Sequence, residues 1–221
     1  MKHVSRLGIL AVFAVVAGCA SGGSANETAE AAPTGAGEAN PAQPHNHGMM
    51  GSPLPATAGP GHTVADVRFM QDMIGHHAQA VEMAALVPGR DVGEPLTRLA
   101  GKIDISQRDE IAMMERWLRE RGQAVPEGGH AMPMPGMLTP EQMARLSAAS
   151  GREFERLFLS FMIQHHRGAL QMVETLFASP GAGQDSDIFR FATDVDADQR
   201  DEIWVMQTML DAMDTNRSQS R

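Results

Sequence analysis

The sequence predicts an all-α four-helix bundle made from a duplicated helix pair, with a short extra helix in the connection between the pairs. Three observations predict it. A stretch recurs with identical spacing, MIGHHAQAVEM from Met73 to Met83 and MIQHHRGALQM from Met162 to Met172. Each copy is followed by a second shared segment, Gln107-Arg108-Asp109-Glu110-Ile111 and Gln199-Arg200-Asp201-Glu202-Ile203. The repeating unit is therefore a helix pair, used twice at an offset of about 90 residues. No stretch alternates apolar and polar residues with the period of two that a strand needs.

The first helix is expected from the capping box Thr63-x-x-Asp66 to about Val87, ahead of the breaker Pro88-Gly89. On it Met73, His77, Ala80 and Ala84 form one stripe, flanked by His76 and Met83, because residues three and four apart are neighbours. Adjacent histidines splay by about 100°, so both can border the inward face. The second helix is expected from about Gly93 to Arg121, with Arg119 at its negative pole and Gly122 as its stop. Its stripe is Gln107, Ile111, Met114 and Leu118, matched in the second copy by Gln199, Ile203, Met206 and Leu210. Glu110 and Glu202 lie at the stripe's edge.

Residues 123–138 read as a Pro/Gly loop carrying His130, Met132, Met134 and Met137. Thr139-Pro140-Glu141-Gln142 opens a short helix to about Ala149, and after an interruption at Gly151 a third long helix runs to about Ala178. A fourth long helix is expected from about Ser186 to Asp214, followed by a polar, frayed end.

Ahead of this domain, placed at residues 62–215, come two segments of different character. Residues 1–18 read as a bacterial lipoprotein signal: a basic start, a short apolar run, then Val16-Ala17-Gly18-Cys19. Cys19 is the only cysteine and stands where lipidation requires it. With it lipidated, no thiol remains for disulfides or metal, and the protein works outside the cytoplasm on a bacterial membrane. Residues 19–61, dominated by Ala, Gly, Ser, Pro, Asn and Glu, read as a flexible tether. The tether carries one cluster of donors, His45, His47, Met49 and Met50.

The formal charge of −9 argues against nucleic acid as a partner, since nothing neutralises a row of phosphates. There is no phosphate-cradling glycine motif and no nucleophile elbow. What the chain offers instead is metal donors: histidines in pairs, and most of its 17 methionines in the mature part. Imidazole binds copper, zinc, nickel and iron, whereas thioether sulfur selects copper(I). Copper is the first choice, as Cu(I) with Cu(II) possible. Zinc is second, because four histidines alone could hold it but would leave the methionines unexplained.

Other readings stay open at this point. Methionines at helical spacing are commonly core filler, which covers Met114 and Met206 as well as ligation does. Four inward imidazoles cost several kcal/mol, of order, unless metal, carboxylate or water meets them. Hydrogen bonds to Glu110 and Glu202 could do this without metal. With a metal, those glutamates would fix the imidazole tautomer, with Gln107 and Gln199 as further supporting groups.

MIGHHAQAVEM, the QRDEI segment with Met114 and Trp117-Leu118, the MPMPGMLTPEQM linker and FMIQHHRGALQM together resemble the "domain of unknown function 305" family over about His62 to Asp214. That resemblance implies a ferritin-like helical bundle in a bacterial, often secreted, family with periplasmic copper-binding members. It marks Met73, His76, His77 and Met83, with Met162, His165, His166 and Met172, as candidate copper ligands. Di-iron chemistry, which needs Glu-x-x-His on facing helices, lacks its glutamates here: Met73 and Ile74 stand three residues before His76 and His77.

The resulting expectation is a lipid-anchored, extracytoplasmic bundle that buffers, carries or sequesters copper and is not an enzyme. The clusters His45 to Met50 and His130 to Met137 would capture metal on exposed segments or hand it to a transfer partner, and a homo-oligomer could complete half-sites. Two alternatives belong to other classes. One is a metal-independent interaction module using methionine-rich grooves; the other is a copper-dependent oxidase, which predicts turnover.

Overall fold

The computed structural model describes residues 56–127 and 134–219. Cys19, His45, His47, Met49, Met50, His130 and Met132 lie outside the described residues. Among the described residues five helices are present: α1 (Val64–Ala85), α2 (Glu94–Glu120), α3 (Pro140–Ala148), α4 (Gly151–Ala178) and α5 (Ser186–Gln219). Among the described residues none is long and apolar enough to cross a membrane.

The helix ends follow from local chemistry. At α1 the Thr63 side chain accepts from the Asp66 backbone N–H, while Asp66 Oδ2 accepts from Thr63 N at 2.7 Å. Caps of this kind contribute about 1 kcal/mol. Asp66 also reaches across the fold, its Oδ1 accepting from Gly183 N at 2.7 Å, which ties the start of α1 to the α4–α5 turn. Thr139 and Gln142 form the same box at α3. Gly122, at φ +64, ends α2 in the left-handed region where a side chain would be strained. The helix α5 continues to Gln219, past the expected fraying point at Asp214.

Within each pair the helices pack directly, α1 on α2 and α4 on α5, and α1 packs on α4 to join the pairs. The two double-histidine helices thus form the main helix-to-helix contact between the halves. Buried apolar side chains fall into two clusters. One contains Met83, Met162 and Met206 with Phe154 and Phe158; the other contains Met73, Met172 and Met114 with Phe69 and Phe191. Met73 shares a cluster with Met172, and Met83 with Met162, so α1 and α4 run antiparallel. The repeat interchanges the clusters: Met73, Met83 and Met114 correspond to Met162, Met172 and Met206. Each cluster therefore holds one equivalent set of three methionines, and the histidines fall between the sets along both helices.

The linker ahead of α3 is not an exposed loop where it is described. Met134 and Met137 are half-buried, and Met134 packs against the cluster of Met73 and Met172. The cause lies in two glycines. At Gly168 a Cβ would stand 1.9 Å from the Pro135 carbonyl oxygen, and at Gly136, with φ +76, it would stand 2.7 Å from Gly168 Cα. Backbone lies on backbone there. Gln79, fully paired with Leu138 through both amide atoms (2.7 and 3.1 Å), fastens the same linker to α1.

Candidate metal centre

His76, His77, His165 and His166 come together, and none is more than 1% exposed. The His76 and His165 rings meet at the α1–α4 contact, centroids 3.8 Å apart and planes tilted by 37°. His77 and His166 turn outward toward the second helix of their own pair. His77 Nε2 lies 2.6 Å from Glu110 Oε2, and His166 Nε2 lies 2.7 Å from Glu202 Oε2. The two inner rings bond to backbone carbonyls: His165 Nε2 to His76 O at 2.9 Å, and His76 Nε2 to Pro135 O at 3.0 Å. Here the repeat's symmetry breaks, because the linker supplies the acceptor for His76 that α1 supplies for His165.

These partners fix the tautomers. Carbonyl and carboxylate oxygens only accept, so each ring donates from Nε2–H and, when neutral, carries its lone pair on Nδ1. The Nδ1 atoms of His77, His165 and His166 are buried without a hydrogen-bond partner. An unmet buried acceptor costs about 1–3 kcal/mol, so this concentration of them calls for an occupant. Burial first, then the neighbouring rings of His76, His166 and His77, hold His165 well below the ordinary imidazole value, which keeps it neutral. A neutral imidazole is the form that binds metal.

The arrangement differs from a cage of four imidazoles. Among the described residues no three His, Cys, Asp or Glu side chains are grouped so as to hold a metal ion. The remaining soft donors are the flanking thioethers. Met73, Met83 and Met162 are fully buried and Met172 is 8% exposed. The thioethers of Met73, Met83 and Met162 are uncharged and shielded from water, a kind of donor that copper(I) accepts and zinc does not favour.

Glu110 and Glu202 are not equivalent in their surroundings. The Glu202 side chain is 5% exposed with Lys102 Nζ at 3.7 Å, whereas that of Glu110 is 20% exposed. Gln107 and Gln199 are buried in both copies, and neither Oε1 has a partner.

Three participants had no place in the sequence reading: the Pro135 carbonyl, Gly168 and the Gln79 clamp. A signal for them exists in the repeat itself, since Gly168 stands three residues after His165 where the first copy has Gln79. Met114 and Met206, open between filler and ligand, each join the two ligand-candidate methionines of one cluster.

Comparison with known proteins bears on this site. Residues 66–210 match the family described as "Domain of unknown function (DUF305)". A DUF305 fragment from Deinococcus radiodurans is similar at 32% identity and TM-score 0.61, covering 69% of this chain and 99% of that one. A DUF305 protein from Streptomyces coelicolor, described as a candidate secreted protein, matches at 32% identity and TM-score 0.59, over 67% of this chain and 93% of that one. CopM in its Cu(I)-bound form matches at 25% identity and TM-score 0.55, over 67% of this chain and 96% of that one. CopM has also been solved with Cu(II) and with silver. No curated protein matches the chain. With the family match spanning most of the helical domain and both 32% identical structures sharing the fold, the chain belongs to the DUF305 family.

Proposed function

We propose that this protein binds copper outside the cytoplasm, preferring Cu(I), and buffers, carries or sequesters it without turnover. The observation that carries the reading is the set of buried Nδ1 lone pairs at His77, His165 and His166, with tautomers fixed by protein acceptors and thioethers on both sides. His76, His77, His165 and His166 are the nitrogen donors in this account. Met73, Met83, Met162 and Met172 supply sulfur, and Glu110 and Glu202 hold the outer rings in the metal-binding tautomer. The Cu(I)-, Cu(II)- and silver-bound states of CopM support copper as the metal. The candidate secreted relative and the lipoprotein-like start support a place outside the cytoplasm, with Cys19 as the membrane anchor.

A dry site of imidazole and thioether suits holding Cu(I) more than cycling it, because neutral soft donors favour the lower charge. An anaerobic titration of the full chain against a chromophoric copper(I) chelator, repeated with zinc, tests the reading. Stoichiometric copper(I) binding that excess zinc does not displace is expected. Zinc binding alone, or no binding of either metal, would contradict it.

A further inference from the structure

The four paired histidines are sealed in the fold, none more than 1% exposed, so a metal reaches them only when some part of their wall moves. Of the four oxygens that accept from their rings, three belong to helices: Glu110 on α2, Glu202 on α5 and the His76 carbonyl on α1. The fourth, Pro135 O at 3.0 Å from His76 Nε2, belongs to the linker. Helices packed along their length move as blocks, whereas a short segment with few fastenings can open by itself.

The linker lies across the α1–α4 contact in a seat that the repeat builds by being unequal. Setting His76-His77 against His165-His166 pairs Gly75 with Gln164 and Gln79 with Gly168, so each helix contributes one glutamine and one glycine at the same two positions. Gln79 holds Leu138 through both amide atoms, at 2.7 and 3.1 Å. Gln164 donates from Nε2 to Gly136 O and Met137 O at 3.3 and 3.4 Å. Gly168 is the bare spot on which the backbone of Pro135 and Gly136 rests, and Gly136 takes φ +76 there.

The grip is uneven. Leu138 is buried and doubly bonded, which anchors that end. Between Met134 and Met137 the linker is held by one bond from His76, by the glycine seat and by the Gln164 contacts, whose length puts them at the weak end of the range. The side chains of Met134 and Met137 on this looser stretch are half-buried, and Met134 packs against the cluster of Met73 and Met172. Lifting Pro135 and Gly136 therefore uncovers His76 and moves a thioether, a donor suited to copper(I), between the surface and the buried cluster.

We propose that residues 134–138 form a strap over the metal centre whose lifting sets the rate at which copper enters and leaves, with Gln79 and Gly168 as the residues that keep it shut. This rests on the copper-binding reading above and adds what governs exchange.

The test is stopped-flow loading of the full chain with chelator-buffered copper(I), followed by release to excess chelator, for wild type, Gly168→Ala and Gln79→Leu. The first variant pushes the strap off α4, and the second frees it from α1. In each, loading and release are both expected to quicken about tenfold while the affinity stays within about threefold, because a strap that opens more often speeds passage in both directions. Thr63→Ala, which loosens the start of α1 without touching the strap, is expected to exchange copper at wild-type rates. In the wild type alone, the loading rate is expected to level off as copper is raised, the plateau being the rate of opening. Unchanged rates in either strap variant, equal acceleration by Thr63→Ala, or a loading rate that climbs linearly throughout would overturn the strap and leave copper binding standing. A weaker affinity with unchanged loading would overturn it too, making the linker a prop for His76. Absence of copper binding by wild type would overturn both readings.

Discussion

Changing His76, His77, His165 and His166 together to alanine is expected to weaken copper(I) binding at least about a hundredfold, equivalent to about 2.7 kcal/mol. The size of the effect follows from the arrangement. Every donor nitrogen in the account is lost at once, and thioethers alone remain. The buried rings are large, so cavities will form, but the variant also removes polar groups whose Nδ1 atoms at His77, His165 and His166 lack partners in the metal-free fold. Circular dichroism should therefore report a helical protein. Competition with a copper(I) chelator gives the affinity, and an unchanged value would remove the histidines from the site.

The second large effect is structural and lies at a glycine. Gly168→Ala forces a methyl group to within 1.9 Å of the Pro135 carbonyl oxygen, where backbone faces backbone and neither can rotate away. The linker must lift, and the hydrogen bond from His76 Nε2 to Pro135 O goes with it. Overpacking and the lost bond together cost about 2–4 kcal/mol. For a domain of this size that lowers the melting temperature by roughly 5–15 °C. Gly101→Ala is the control, because nothing lies within 4 Å of its added Cβ and alanine is the better helix former. Thermal melts in which Gly168→Ala and Gly101→Ala behave alike would show that the linker is not seated as described.

These two substitutions also mark how far the sequence carries. The helix pairs were legible because their signals are local: a capping box at Thr63 and Asp66, a glycine stop at Gly122, and a repeated stripe of fixed period. The approach of α1 to α4 has no local signal in the chain, and the His76 and His165 rings, with centroids 3.8 Å apart, define it. The Glu110 and Glu202 contacts were foreseeable from their place at the edge of each stripe. What sequence could not give is the long-range seating of the Pro-Gly linker. Its contacts depend on a missing side chain at Gly168 and on a carbonyl at Pro135, neither of which has a periodic pattern. Burial of Met134 and Met137 follows from that seating, which is why the loop looked exposed in one dimension.

The asymmetry between Glu110 and Glu202 was likewise written in the chain, in Lys102 against Asp194, the residue that matches it in the second copy.

Copper coordination by the paired histidines is tested most sharply by X-ray absorption at the copper edge of the anaerobically Cu(I)-loaded full chain, beside the four-histidine variant. Imidazole nitrogen together with thioether sulfur is expected around copper in the wild type, with the imidazole contribution gone from the variant. A shell without imidazole nitrogen in the wild type, or one that the four substitutions leave unchanged, would contradict it.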